Sequence, residues 1–272
     1  MNAKLGICNF SFPGTGVFAP RLVSEFGLDG MSIEYGSHQN GWALSQRRIQ
    51  DMYLEEQQTY GIEYPNIGCS DGDNVCFFAP ESEPDGAVTL RAAIGAVNAA
   101  VYMKIPLVFF SNFNASAVKT EEDFANLVAR YQVICDYAED KGIAIASENP
   151  MSALKQIELV QAVDRKNFHL FYDSDNYTFF TEYKQVDILR AIYPYMYPQL
   201  HVKDSIQGCI ANAVLGTGVA DFAGSIQFLK EQDYNGWLII ENLYELLPMR
   251  HLNPDYFEIV KQDVRALKDA VR

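Results

Sequence analysis

Short apolar runs alternate along the chain with longer segments whose apolar positions recur every three to four residues. The short runs fall at residues 5–9, 31–34, 66–69, 107–110, 143–148, 169–173, 199–203 and 238–241. Each is rich in β-formers and nearly continuously apolar, the pattern of strands covered on both faces. The segments between them carry helix signals. Thr120 and Asp123 form a capping pair, Phe124, Leu127, Val128, Tyr131 and Ile134 fall on one face, and Gly142 closes that helix. Asp221 caps a helix that buries Phe222, Ile226 and Leu229. Asn253-Pro254 supplies a cap and a first-turn proline for a last helix with Phe257, Val260, Val264, Leu267 and Val271 inward. Helices near 45–60 and 87–103 fill the earlier gaps.

Eight such runs separated by helices predict an α/β protein, a closed (β/α)8 TIM barrel formed as one domain over residues 1–272. An open doubly wound sheet is the rival. It would carry a Gly-rich phosphate loop after the first strand, where only Gly14-Thr15-Gly16 stands.

Composition narrows the function classes. With 49% hydrophobic and 21% charged residues the chain is rich enough in apolar side chains to fold, so disorder is excluded. A net charge of −14 repels phosphate backbones, so no nucleic-acid partner is expected. The apolar stretch at 92–110 is broken by Asn98, Lys104 and Pro106 and reads as a buried helix followed by a strand, so no membrane partner is expected either. The N-terminus lacks the apolar core of a signal peptide, and Cys8, Cys69, Cys76, Cys135 and Cys209 form no C-x-x-C pair. A cytoplasmic location with free thiols is the expectation, and a homo-oligomer is compatible with it.

Polar residues fall where a parallel barrel keeps its active face, at the C-terminal strand ends. Four successive runs end in Glu148, Asp173, His201 and Glu241, separated by 25, 28 and 40 residues, one β/α unit each. A carboxylate that ends a run such as WLII is costly to bury alone, and a shared cation removes the conflict. Singly, each has an ordinary explanation: Glu148 opens the next helix, Asp173 caps the segment after it, His201 is a hydrogen-bonded core histidine. In phase on four strands they read as one site for a divalent metal. Three carboxylates and an imidazole suit Mn²⁺ first, with Mg²⁺, Co²⁺ or Zn²⁺ as the other fits.

Neighbouring residues extend the site. Lys203 shares a face with His201 and is read either as a substrate contact or as a structural ion pair. Asn176 reaches a substrate hydroxyl or stabilises its loop, and Glu34 touches substrate or forms a buried salt bridge. In LGTGVADF, residues 215–222, backbone N–H groups face a substrate oxygen or serve a structural turn. Tyr177, Phe179 and Phe180 line a pocket or pack. No P-loop and no basic cluster follows the last two strands, where Arg250 is the only candidate, which favours an unphosphorylated substrate.

Through SENP, YDSDN, HVKD, LGTGVADF and IIENLY, between residues 143 and 244, the sequence resembles the xylose-isomerase-like barrel family of sugar and sugar-phosphate isomerases and epimerases. The likeness covers nearly the whole chain. Its metal ligands match Glu148, Asp173, His201 and Glu241. It implies that Glu148 and Glu241 are also the acid/base pair of a small-molecule sugar isomerase or epimerase working through a metal-stabilised enediolate. Asn176 stands where many relatives carry histidine, and residues 205–214 lack an arginine found in some relatives. The competing expectations are a metal-dependent dehydratase of a cyclic polyol or keto-acid, a non-catalytic carbohydrate-binding barrel, and a phosphodiesterase or endonuclease. The last would need several metals and many histidines, and this chain has four.

Overall fold

The computed structural model describes residues 1–11, 16–253 and 255–272. Gly14, Thr15 and Pro254, named among the sequence signals, lie outside the described residues. The strands are β1 (Lys4–Cys8), β2 (Gly30–Glu34), β3 (Ile67–Cys69), β4 (Leu107–Ser111), β5 (Ala144–Glu148), β6 (Phe168–Asp173), β7 (Met196–Val202) and β8 (Trp237–Ile240). They pair in parallel in chain order and close β8 onto β1, a TIM barrel. The helices are α1 (Ala19–Glu25), α2 (Arg47–Tyr60), α3 (Pro84–Met103), α4 (Glu121–Glu139), α5 (Ala153–Val163), α6 (Asn176–Phe180), α7 (Gln185–Ile192), α8 (Phe222–Glu231) and α9 (Tyr256–Val271).

Local chemistry accounts for these elements. The Thr120–Asp123 capping box opens α4, and Phe124, Leu127, Tyr131 and Ile134 are buried beneath it. Asp221 caps α8 by accepting the Gly224 amide. The last helix departs from expectation. It begins at Tyr256 with Asp255 as its cap, while the Asn253 side chain accepts the Asp255 amide just before it. By length and composition α3 is apolar enough to cross a membrane, but half of its most apolar stretch is buried, with Ala92, Ala96, Val97 and Ala100 inward. It is the core helix the sequence pattern described.

Strand β7 starts three residues earlier than expected and tolerates Pro198 within it. The β6–β7 ladder breaks between the Leu170–Met196 and Tyr172–Leu200 pairs, so the missing proline N–H leaves no gap in the pairing. Strands β7 and β8 stop one residue short of Lys203 and Glu241. The Glu241 amide still donates to the Val202 carbonyl, so both side chains stay at the strand ends.

Inside the barrel, Phe109 and Phe171 stack at 4.4 Å with Leu107 and Ala146 around them. Toward the N-terminal ends of the strands, Asn66 accepts from Ser32 at 2.5 Å and donates to Gln199 at 2.7 Å, and Gln199 donates to the Pro65 carbonyl. The aromatic layer therefore separates this satisfied polar network from the C-terminal mouth.

In the loop from β7 to α8 one side chain gathers four backbone amides. Asp204 accepts the amides of Ser205, Gly216, Gly218 and Ala220, all at 2.9–3.0 Å. The N–H groups of LGTGVADF thus serve this structural turn. A Cβ on Gly218 would meet Asp204 Oδ1 at 2.2 Å, so the close approach requires glycine. Asp204→Ala leaves several of these amides without an acceptor and is expected to cost about 3 kcal/mol or more. Urea denaturation checks this; a loss below about 1 kcal/mol would show that the loop is held by other contacts.

Candidate active site

Glu148 and Asp173 are the last residues of β5 and β6, His201 lies one residue before the end of β7, and Glu241 follows β8. Their ligand-capable atoms all lie within 4.8 Å of one another. His201 Nδ1 is 3.2 Å from both Glu148 Oε1 and Glu241 Oε2, and 3.9 Å from Asp173 Oδ2. Its ring stands edge-on to Phe109 and Phe171, so the stacked pair is the apolar floor of the cluster.

Lys203 is the structural counter-charge, 2.6 Å from Glu241 Oε2 and 3.2 Å from Asp173 Oδ2. Of its two expected roles the ion pair is present, and it also faces the cavity above the cluster. Asn176 donates its side-chain amide to Glu148 Oε1 at 3.2 Å and its backbone N–H to Asp173 Oδ1 at 2.8 Å. The other Asp173 oxygen, Oδ2, is buried and faces Lys203 and His201. Glu34 corrects an expectation. No Lys, Arg or His pairs with it among the described residues, and its Oε1 instead accepts the Ser70 hydroxyl at 2.6 Å and the Ser70 amide at 3.2 Å. Tyr177 is buried and accepts from Gln156, Phe179 is exposed, and Phe180 stacks on Phe113 at the cavity wall.

Crowding three carboxylates in an apolar mouth has consequences for protonation. Burial pushes Asp173 up to about 8, against the opposing pull of Lys203. Burial disfavours the charged form of His201, yet Glu241 and Glu148 outweigh it and hold the imidazole well above its ordinary value. Burial would also raise Glu241, but His201 and Lys203 hold its carboxyl well below the usual carboxylate range. The same negative field that keeps a proton on His201 favours a divalent cation at that point.

The donor set fits such an ion. It offers hard oxygens from three carboxylates and one imidazole nitrogen, all turned to one point, with Asp173 Oδ2 buried among them. Cys8, at the end of β1, is a residue the sequence pattern placed only among the free thiols. Its Sγ lies 3.5 Å from His201 Nε2, and burial pushes the thiol up to about 11, so it is neutral and orients the imidazole.

A cavity of about 150 Å³ opens above the cluster. Glu148, Glu241, Lys203, Asn176 and Glu34 line it, whereas Asp173 and His201 lie beneath, 1% and 0% exposed. Asp73 and Ser111 also line it, and sequence pattern had not singled them out.

Comparison with known proteins agrees with this architecture. The chain is 22% identical over 218 residues to a 2-epi-5-epi-valiolone 7-phosphate 2-epimerase from Actinoplanes sp., covering 80% of this chain and 78% of that protein. Among solved structures, a D-allulose 3-epimerase from Methylomonas sp. superposes with a TM-score of 0.77 at 18% identity, covering 99% of this chain and 98% of that one. The IOLI protein, solved with a bound zinc atom, superposes with a TM-score of 0.78 at 17% identity, covering 98% of each chain. Residues 20–269 match the family described as the xylose isomerase-like TIM barrel, and the chain belongs to that family.

Proposed function

We propose that the protein is a divalent-metal-dependent isomerase or epimerase of a small ketose or related polyol, with Glu148 and Glu241 as its acid/base pair. The observation that carries this reading is the division of the four clustered side chains. Glu148 and Glu241 face the cavity, while Asp173 and His201 are sealed under it. Two residues are therefore available both to a metal and to a substrate, and two only to a metal. The epimerases among its relatives and structural neighbours support the reaction class, and the zinc-bound neighbour supports a metal.

Glu148, Asp173, His201 and Glu241 would hold the ion, Mn²⁺ by the hardness of the donor set. Bound there, a divalent cation supplies the positive charge that makes a C–H beside a ketose carbonyl acidic. The remaining work falls to the chain. One glutamate takes the proton, and the other returns one to the opposite face or to the neighbouring carbon. His201 and Lys203 keep Glu241 ionised. Asn176 fixes the Glu148 carboxylate through Oε1. The Phe109–Phe171 floor keeps water from the cluster from below.

Two outcomes test this reading. Dialysis against a chelator should abolish turnover of a ketose, and Mn²⁺ or Co²⁺ should restore it. His201→Asn should fail mainly through weakened metal affinity, measured by metal titration, with partial rescue by excess metal; unchanged affinity would remove His201 from the ligand set.

The acid/base assignment has its own test. Glu148→Gln and Glu241→Gln retain size and one oxygen but lose the base, so turnover should fall about 10²–10⁴-fold while metal still binds. The decisive readout is exchange of the substrate C–H proton with D₂O in each variant. Wild-type exchange in both would sink the two-glutamate mechanism. A dehydrated product would instead move the enzyme to the dehydratase reading on the same barrel.

A further inference from the structure

The polar lining of the cavity does not stop at the four clustered residues. Next to Glu148 on β5, strand β4 ends in Ser111, and the two residues are in register. The loop after β3 brings in Asp73, and β2 ends in Glu34; all three line the cavity. The side of the cavity opposite β6–β8 therefore sets these three polar groups among Phe10, Cys69, Phe109 and Phe113, and none of the three belongs to the candidate ligand set.

Two features mark this wall as unfinished without a ligand. Ser111 is 5% exposed, and its hydroxyl lies beside the Asp73 carboxylate without a close hydrogen bond. A buried hydroxyl in that state is costly unless something else satisfies it. Asp73 accepts one backbone hydrogen bond, from the Phe113 amide at a long 3.3 Å, which leaves acceptor capacity toward the cavity. Burial, reinforced by the charge of Glu148 and opposed by the neighbouring Ser111 hydroxyl, pushes its carboxyl up to about 6.

Charge decides which ligand fits. Among the described residues lining the cavity, Lys203 is the only basic one, and it is already held by Glu241 and Asp173. A phosphate on the Asp73 side would meet Asp73 and Glu34 with no cation to offset them. A hydroxyl can donate to Asp73 and accept from Ser111.

We propose that Asp73, together with Ser111, is a specificity-determining anchor for a hydroxyl on the part of the substrate distal to its reacting carbons, and that this wall restricts the site to unphosphorylated ketoses. The position of the reacting carbons rests on the acid/base assignment of Glu148 and Glu241.

The test uses Mn²⁺-loaded wild type, Asp73→Ala, Asp73→Asn and Ser111→Ala. The probes are D-fructose, D-tagatose, D-allulose and D-sorbose, with D-fructose 6-phosphate as the charged arm. Steady-state kinetics and calorimetric binding are measured on each. For the preferred ketose, Asp73→Ala should raise KM and Kd about 10- to 100-fold, with the loss falling in KM rather than kcat, and Ser111→Ala should raise them a few-fold. Wild type should prefer the free ketose to the phosphate ester by about 100-fold or more, and Asp73→Asn should reduce that preference at least about tenfold. Where Asp73→Ala does not fold because the Phe113 tie is lost, Asp73→Asn retains an acceptor oxygen and carries the test. Unchanged Kd and unchanged phosphate discrimination in Asp73→Asn would overturn the proposal, as would wild type that binds no ketose of the panel. Asp73-dependent binding without turnover or C–H exchange would sustain it while overturning the epimerase reading.

Discussion

Three carboxylates buried within a few ångströms at one end of an apolar barrel repel one another, and the architecture of the mouth is organised around that repulsion. Glu148, Asp173 and Glu241 converge on His201 Nδ1 from three strand ends, with Lys203 paired to Asp173 and Glu241. In a low-dielectric surround such a cluster is tolerable only when positive charge sits at its centre. The chain supplies part of it through Lys203 and a protonated imidazole. A divalent ion would supply more, from a smaller volume, with Asp173 Oδ2 turned toward it.

The scaffold makes this convergence reproducible. Parallel pairing around a closed barrel sends successive strand ends to one rim, so side chains one β/α unit apart meet in space. The stacked Phe109–Phe171 pair fixes how deep the imidazole sits, and Cys8 holds its far nitrogen. Asp204 closes the loop immediately after Lys203 by taking four amides, and Ser174 ties the Lys203 backbone through both its N–H and its carbonyl. The rigid parts therefore end where the chemistry begins, and the loops after β3 and β4 bring the remaining polar groups to the cavity.

The fold was legible in the sequence because strands buried on both faces announce themselves as apolar runs, and all eight runs overlap observed strands. Boundaries drifted where pairing, not composition, decides them: β7 gained Met196, Tyr197 and Pro198 through a register break that no periodicity encodes. The cluster residues stood out because a charge at the end of an apolar run is conspicuous. Ser111 and Cys8 end β4 and β1 in the same way, but both are ordinary buried residues, so their position carried no signal. Asp73 sits in a loop without period. The partner of Glu34 proved to be Ser70, just past the end of the neighbouring strand, a contact set by the β2–β3 pairing.

The central claim is that the four strand-end side chains share one divalent ion. Anomalous diffraction from crystals soaked in Mn²⁺ tests it without recourse to activity. The account predicts a single strong peak within roughly 2.5 Å of His201 Nδ1 and of carboxylate oxygens from Glu148, Asp173 and Glu241. A peak elsewhere, or none at this point at saturating Mn²⁺, would contradict it.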